Sequence, residues 1–335
     1  MMKLNSLAIA VASTLLASTS TFAAQIYSGD GTSLAVGGYV DVGIGKYGSY
    51  GDDPEVQVHQ VSPRINIEGK KEIGNGVTVD AKGEWSLNYL DGGDTSFNTR
   101  LGYIGASHEQ AGRAVVGTQW SPYYDVGGVA DLPIAFANDF LYSDQYNLGS
   151  ARAEKMVSYR NTLVVSNDIS LNIGLGWQGK QKSNYDTRGQ IAISGDFAGF
   201  GVGYTYNGGD VDSGKAESHL VSVNYGSYGK GIYVAGVYGK NEHFFTNAKK
   251  QLLAESYQYE ALAAFGLDNG VNVSVNYESV EDDKTSKTQY SQSALQVEYT
   301  ITSGLVTFAG YQFDLGNDIG IKEEDFYTAG VRYFF

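Results

Sequence analysis

The sequence predicts an all-β fold, a closed transmembrane barrel of about sixteen antiparallel strands. Three observations carry that expectation. Stretches of roughly ten residues alternate between apolar and polar side chains. Short and long connections between them take turns along the chain. No run of about 18 apolar residues follows the N-terminal segment, so no downstream helix is suited to spanning a membrane.

The alternation is clearest from Val77 to Tyr89. Val77, Val79, Ala81, Gly83, Trp85, Leu87 and Tyr89 form one face, and Thr78, Asp80, Lys82, Glu84, Ser86 and Asn88 form the other. Leu171, Ile173, Leu175 and Trp177 alternate in the same way with polar and small residues. So do Val273, Val275 and Tyr277 against Ser274, Asn276 and Glu278. A period of two means a strand with different surroundings on its two faces. A secreted β-sandwich also alternates, but its inner face is apolar and continuous. Here the second face carries Asp80, Lys82, Glu84 and Glu260, which is inexpensive only where that face is wet. A barrel of this strand number is wide enough to hold water.

Strand starts are expected near residues 33, 57, 75, 96, 113, 154, 168, 189, 201, 217, 230, 253, 270, 286, 304 and 324. Short turns fall at Gly74-Asn75-Gly76, Ala198-Gly199, Gly229-Lys230, Asp268-Asn269-Gly270 and Ser303-Gly304, with looser ones near 107–112 and 164–167. Longer connections are expected near 46–56, 90–95, 120–153, 179–188, 208–216, 241–252, 281–285 and 316–323. All long loops then lie at one rim.

Ahead of the barrel, a short positive start at Lys3, an apolar core from Leu7 to Ser18 and small residues up to Ala23 read as a secretory signal peptide. Residues 1–23 are assigned to it and residues 24–335 to a single barrel domain. The chain has no cysteine, so neither disulfides nor thiolate metal sites contribute. Its 44 Gly and 26 Tyr against 4 Pro suit long, twisted strands. A net charge of −14 argues against nucleic acid as a partner. Enzyme chemistry is not expected: His59, His108, His219 and His243 lie on separate segments without a nucleophile or metal motif. No cofactor or metal is implied.

The last residues, with Gly330, Tyr333 and Phe335 spaced as G-x-x-Y-x-F, place aromatics where a membrane interface wants them. They look like the signal by which outer-membrane assembly machinery recognises its clients. The start AQIYSGDGTSLAVGGYVD, the run NTRLGYIG and the segment VSYRN resemble strands of the Gram-negative general diffusion porins, over essentially the whole chain after residue 23. The resemblance implies a homotrimer of sixteen-stranded barrels in the outer membrane, among lipid and lipopolysaccharide. Each barrel passes ions and small hydrophilic solutes, with its third long loop folded into the pore.

The resemblance also implies a constriction of basic wall residues facing acids on that loop. Arg64 lies between Pro63 and Ile65, and alternation against Ile65 and Ile67 turns it to the lumen. Arg100 is expected there by alternation against Leu101 and Tyr103. Arg152, eight residues before Arg160, matches the family's third basic position. Asp131 and Asp139 match the loop acids. The chain departs from the family in having Ala135 where a loop glutamate is usual, and Tyr39 for a first-strand lysine, with Asp41 following on the same face. The three arginines are either the wall of a transverse field or a salt network holding the loop. Counting the wider lumen face favours a mild cation preference. Trp120, Tyr123 and Tyr124, with Tyr39, are candidate solute contacts that would instead make a saccharide-selective channel; packing at the loop base is the simpler reading. The acidic runs Asp52-Asp53, Glu281-Asp282-Asp283 and Glu323-Glu324-Asp325 read as a solvated rim, with divalent-cation binding as the alternative.

Overall fold

The computed structural model describes residues 23–48, 54–90, 92, 96–166, 168–182, 184–212, 214–246, 252–321 and 324–335. Apart from Ala23, the signal-peptide segment lies outside these residues, as do Asp52-Asp53 and Glu323.

A hairpin opens the chain. β1 (Ala24–Gly29) turns at Asp30-Gly31 into β2 (Thr32–Lys46). Next come β3 (Gln57–His59), β4 (Arg64–Gly74), β5 (Val77–Leu87), β6 (Phe97–His108) and β7 (Gly112–Trp120). A long inserted segment leads to β8 (Arg152–Ser166), β9 (Ile169–Gln178), β10 (Tyr185–Phe197), β11 (Phe200–Val211) and β12 (Gly214–Ser227). The chain ends through β13 (Lys230–Glu242), β14 (Glu255–Gly266), β15 (Val271–Asp282), β16 (Lys287–Thr302), β17 (Leu305–Asp314) and β18 (Phe326–Phe334). Each long strand pairs antiparallel with its sequence neighbours, and β18 pairs with β2, with Arg332 opposite Asp41. The sheet therefore closes as a sixteen-strand barrel of β2 and β4–β18, which leaves no open edge in a membrane.

Outward side chains form an apolar band. Val116, Leu175, Val202, Val223, Val273 and Leu295 are exposed to the outside. Near the long-loop rim stand Tyr204, Tyr238, Tyr259, Tyr277, Tyr311 and Tyr327; near the turns stand Phe197, Phe200, Tyr225, Phe265, Tyr299 and Tyr333. An apolar band between two aromatic girdles matches lipid, not water. The tight turn at Ala198-Gly199 has φ of 47° and 86°, the left-handed pair that fits the twist of a two-residue hairpin.

Four local differences from the sequence expectation have physical causes. Residues 24–29 form an extra strand folded back on β2, outside the closed ring. The second wall strand is interrupted between β3 and β4, because Asp41 Oδ1 takes the amide of Val61 at 2.8 Å and holds that stretch out of the ladder. The expected fifth long loop at 208–216 is much shorter, since β11 and β12 stay paired to Val211–Gly214. Arg100 reaches the lumen by a bulge rather than by simple alternation. Glu84 faces Leu101 and Trp85 faces Thr99, so Arg100 is the extra residue between them. Leu101 and Tyr103 consequently point inward, opposite Glu84 and Lys82, while Ile104 is exposed to the outside.

Candidate functional site

The long segment between β7 and β8 folds inside the barrel and gives the pore its narrow part. It starts as α1 (Pro122–Gly127), with Ser121 as N-cap accepting the amide of Tyr124 at 3.1 Å and Pro122 in the first turn. It ends as α2 (Gln145–Leu148), before Gly149. Between these, the loop runs along the inner wall on β10–β17 and returns. Gln190 accepts the amide of Tyr123 (3.1 Å) and donates to Gly149 O (2.7 Å). Glu298 accepts from Ile134 N (2.8 Å), Gln296 from Phe136 N (2.9 Å), and Glu278 from Asp139 N (2.9 Å). Asn276 and Gln296 both donate to Phe136 O at 2.6 Å, and Asn207 donates to Leu148 O at 2.8 Å. Wall side chains thus satisfy a loop backbone that has no sheet partner of its own. Each bond contributes about 1 kcal/mol net, so together they outweigh the loss of any one.

Apolar contacts fill the rest. Tyr123, Val126, Ala130 and Leu141 pack on Ala192, Leu220, Tyr233 and Leu262. Phe140 and Leu148 meet Phe244, Phe245 and Leu253, in the described parts of the connection between β13 and β14. Ala135 and Phe136 seat against Ala294, Phe308 and Phe326.

The arginines opposite are held unequally. Arg100 Nε donates to Glu84 at 2.9 Å, and Arg64 approaches the same carboxylate at 3.7 Å. The Tyr39 ring lies between two cations, with the Arg64 guanidinium carbon 4.8 Å and that of Arg332 4.1 Å from its centre. Arg152 is 8 % exposed. Its guanidinium lies 5.7, 5.5 and 5.7 Å from the rings of Trp120, Tyr142 and Tyr146, and its Nε donates to Gln145 at 3.0 Å. That cage clasps both legs of the loop, so Arg152 is chiefly a structural cation.

Among the acids, Asp131 accepts hydrogen bonds from Tyr124 (2.7 Å) and Tyr142 on the loop, and Arg64 acts on it electrostatically. Burial pushes its carboxyl up to about 6, against the pull of those two hydroxyls. The Asp139 side chain is exposed. Asp41 does not serve as the pore acid the sequence suggested. It is 2 % exposed, bonded to Arg332 at 2.8 Å across the closing β18–β2 pair, and its carboxylate also takes backbone amides at the β3–β4 break. Its second face is occupied before any solute arrives.

Tyr123 likewise offers nothing to a solute. It is 1 % exposed, with its hydroxyl 2.7 Å from Ser218 Oγ. Trp120 and Tyr124 are half-buried and stack on each other, ring centres 4.2 Å apart. Gly330 lies against Phe308 and the backbone of Val42, Tyr333 points outward, and Phe335 exchanges two 3.1 Å backbone hydrogen bonds with Gly38. Three further arginines have their partners set by the fold. Arg113 pairs with Asp80 at 2.6 Å, Arg160 ties Asp125 at 2.6 Å beneath the loop, and buried Arg188 donates to Ala216 O. Arg113 alternates inward with Val115, a signal the sequence did carry.

A closed, lipid-facing barrel with a wet, charged interior narrowed by an internal loop defines a channel protein of the outer-membrane class. This chain belongs to the Gram-negative porin family, whose model matches residues 8–335. It is 27 % identical to outer membrane porin F of Escherichia coli strain K12, with both chains covered in full. It is 25 % identical to outer membrane protein S2 of Salmonella typhi, over 96 % of this chain and 97 % of that one. Among solved structures, Salmonella typhi OmpF in complex with daunomycin superposes with a TM-score of 0.80 at 19 % identity, covering 93 % of this chain and 100 % of that one. An anion-selective porin from Comamonas acidovorans gives 0.71 at 14 % identity, covering 91 % and 100 %.

Proposed function

We propose that the chain forms a water-filled diffusion channel for ions and small hydrophilic solutes, with a mild cation preference. The carrying observation is that Arg64, which shares the Glu84 carboxylate with Arg100 on the wall, acts electrostatically on Asp131 of the inner loop. Such an arrangement sets a field across the path of a solute. Arg64, Arg100 and Arg152 are balanced by Glu84, Asp131 and Asp139, so the narrow part is close to neutral. The preference then rests on the acids of the wider lumen face and of the loop runs along the approach. That a porin of the same fold is described as anion-selective supports placing the decision in local charges, not in the barrel.

The reading extends to a signal peptide over residues 1–23, assembly as a homotrimer among lipid and lipopolysaccharide, and an assembly signal in Gly330, Tyr333 and Phe335. Family membership is what supports these. A saccharide-selective channel built on Trp120, Tyr123 and Tyr124 is disfavoured by the burial of Tyr123 and by the engagement of Trp120 with Tyr124 and Arg152. The deciding experiment is the reversal potential of purified protein in a planar bilayer under a salt gradient. Cation-selective potentials that shrink toward high salt are expected; an anion-selective potential at low salt would show that the arginines dominate.

A further inference from the structure

Where the inner loop lies on β13 and β14, it covers polar wall groups that it does not satisfy. Asn138 rests on this wall, its side-chain amide donating to Ala261 O at 3.2 Å, and the next residue, Asp139, gives its backbone amide to Glu278. Asn138 Oδ1, Gln258 Oε1 and Glu260 Oε2 have no hydrogen-bonding partner among the described residues. Neither do Ser256 Oγ and the two side-chain polar atoms of Asn241. These five residues are between 0 and 3 % exposed, and native proteins rarely leave such buried groups unpaired. Register keeps the wall members together, with Asn241 opposite Ser256 and Gln258 opposite Gly239. A Cβ on Gly239 would stand 3.0 Å from Gln258 Oε1 and 3.4 Å from Asn241 Nδ2, so the glycine leaves a small hollow between two unpartnered groups.

The chemistry of the unpartnered set points to a cation. Five of its six atoms are oxygens. The amide nitrogens of Asn138 and Gln258 are already spent, on Ala261 O and on Glu260 Oε1, which leaves their oxygens over. Charge is unbalanced as well. Glu260 and Glu278 stand directly opposite each other on β14 and β15, and no lysine or arginine forms an ion pair with either among the described residues. The charges that act on Glu260 are those of Asp131 and Asp139, both acids. Glu278 is supplied by Asp139 N, Tyr290 and Gln292, whereas Glu260 receives only Gln258 among the described residues. A divalent ion is the poorer fit, since no three acids or histidines converge among the described residues. One carboxylate oxygen among amide and hydroxyl oxygens suits a single positive charge. We infer that this hollow binds a monovalent alkali cation, sodium or potassium, held by Glu260, Gln258 and Asn138, and that the ion fastens the inner loop to the wall. The inference goes beyond the diffusion-channel reading and does not rest on it.

The test is a crystal structure of the barrel grown in thallium(I) acetate in place of sodium and potassium salts, because thallium(I) substitutes for potassium and scatters anomalously. An anomalous peak is expected between Glu260 Oε2, Gln258 Oε1 and Asn138 Oδ1. It should be lost in Glu260→Gln, which removes the charge, and in Gly239→Ala, which puts a methyl group into the hollow and alters no ligand. Refolded wild type should also unfold at a higher temperature in potassium chloride than in N-methylglucamine chloride of equal ionic strength, a difference that both variants lose. Heat-dependent gel mobility verifies that the variants fold. Density at the site without anomalous signal means that water satisfies these groups, and overturns the inference. Infrared absorption of a protonated carboxyl that disappears in Glu260→Gln, with no thallium peak in the wild type, overturns it in favour of a shared proton. A peak that persists in Glu260→Gln overturns the charge argument. None of these readouts uses conductance, so failure of the diffusion reading would leave them untouched.

Discussion

Asp131 is the residue whose charge is set most delicately. With its carboxyl pushed up to about 6, it is ionised at pH 7 and largely protonated at pH 5. Protonation removes a negative charge from the acidic side of the constriction and leaves Glu84 and Asp139 to oppose the arginines there. A unit charge about 10 Å away in water is worth roughly 0.4 kcal/mol, a factor of about two in local cation concentration. The cation preference should therefore fall as pH drops through 6, and Asp131→Asn should shrink that step without removing the part that belongs to Asp139, whose carboxyl is likewise raised to about 6. A step undiminished in Asp131→Asn would assign the titration to another group. The arginine side gives the complementary expectation. Arg100→Ala should strengthen cation preference by a similar factor, with reversal potential as the measure, because it leaves Glu84 with only the longer contact to Arg64. These roles were only half legible in the sequence. Alternation placed Arg64 correctly, but Asp41 looked like a pore acid because nothing local reveals that Arg332, nearly the whole chain away, arrives opposite it. Arg100 reached its predicted side for a different reason, a bulge that strand periodicity does not show.

At the scale of elements, the strands were readable because lipid outside and water inside enforce a period of two. The fifth connection was misread because β11 and β12 remain paired into a polar stretch, where alternation no longer carries a contrast. The course of the inner loop was not readable beyond its length. Its partners, such as Glu298 for Ile134 and Ser218 for Tyr123, come from about a hundred residues or more away. Those partners predict how the loop fails. Tyr123→Ala removes a fully buried ring together with its hydrogen bond, a loss of about 3–5 kcal/mol. The barrel ladder is untouched, so the variant should insert normally, yet show frequent brief closures and noisier open current in single-channel records. Tyr123→Phe loses only the hydroxyl, about 1 kcal/mol, and should stay quiet. Trp120→Ala opens the cage around Arg152 and should also disturb gating. A quiet Tyr123→Ala record would mean the backbone hydrogen bonds suffice to hold the loop.

For the whole molecule, closure is the decisive event, since a sheet with free edges cannot remain in hydrocarbon. The closing pair is β18 on β2. It is fixed by its ladder, by the buried Asp41–Arg332 ion pair, and by the exchange of two backbone hydrogen bonds between Phe335 and Gly38. The C-terminal aromatics are the last link of the seam, and the address for assembly machinery that we propose for them is a second role that a deletion cannot separate from it. A side-chain substitution separates them. Phe335→Ala keeps both backbone bonds with Gly38 and removes only the ring. Should that ring be the address, the variant should reach the periplasm at normal levels and its outer-membrane yield should fall several-fold, while protein refolded in detergent keeps the wild-type heat-modifiable mobility. Arg332→Ala acts on the seam instead. It leaves Asp41 buried without its cation, about 3–5 kcal/mol, and should lower the unfolding temperature of the refolded barrel. Normal outer-membrane yield of Phe335→Ala would remove the address from this ring and leave Phe335 a purely structural residue of the seam.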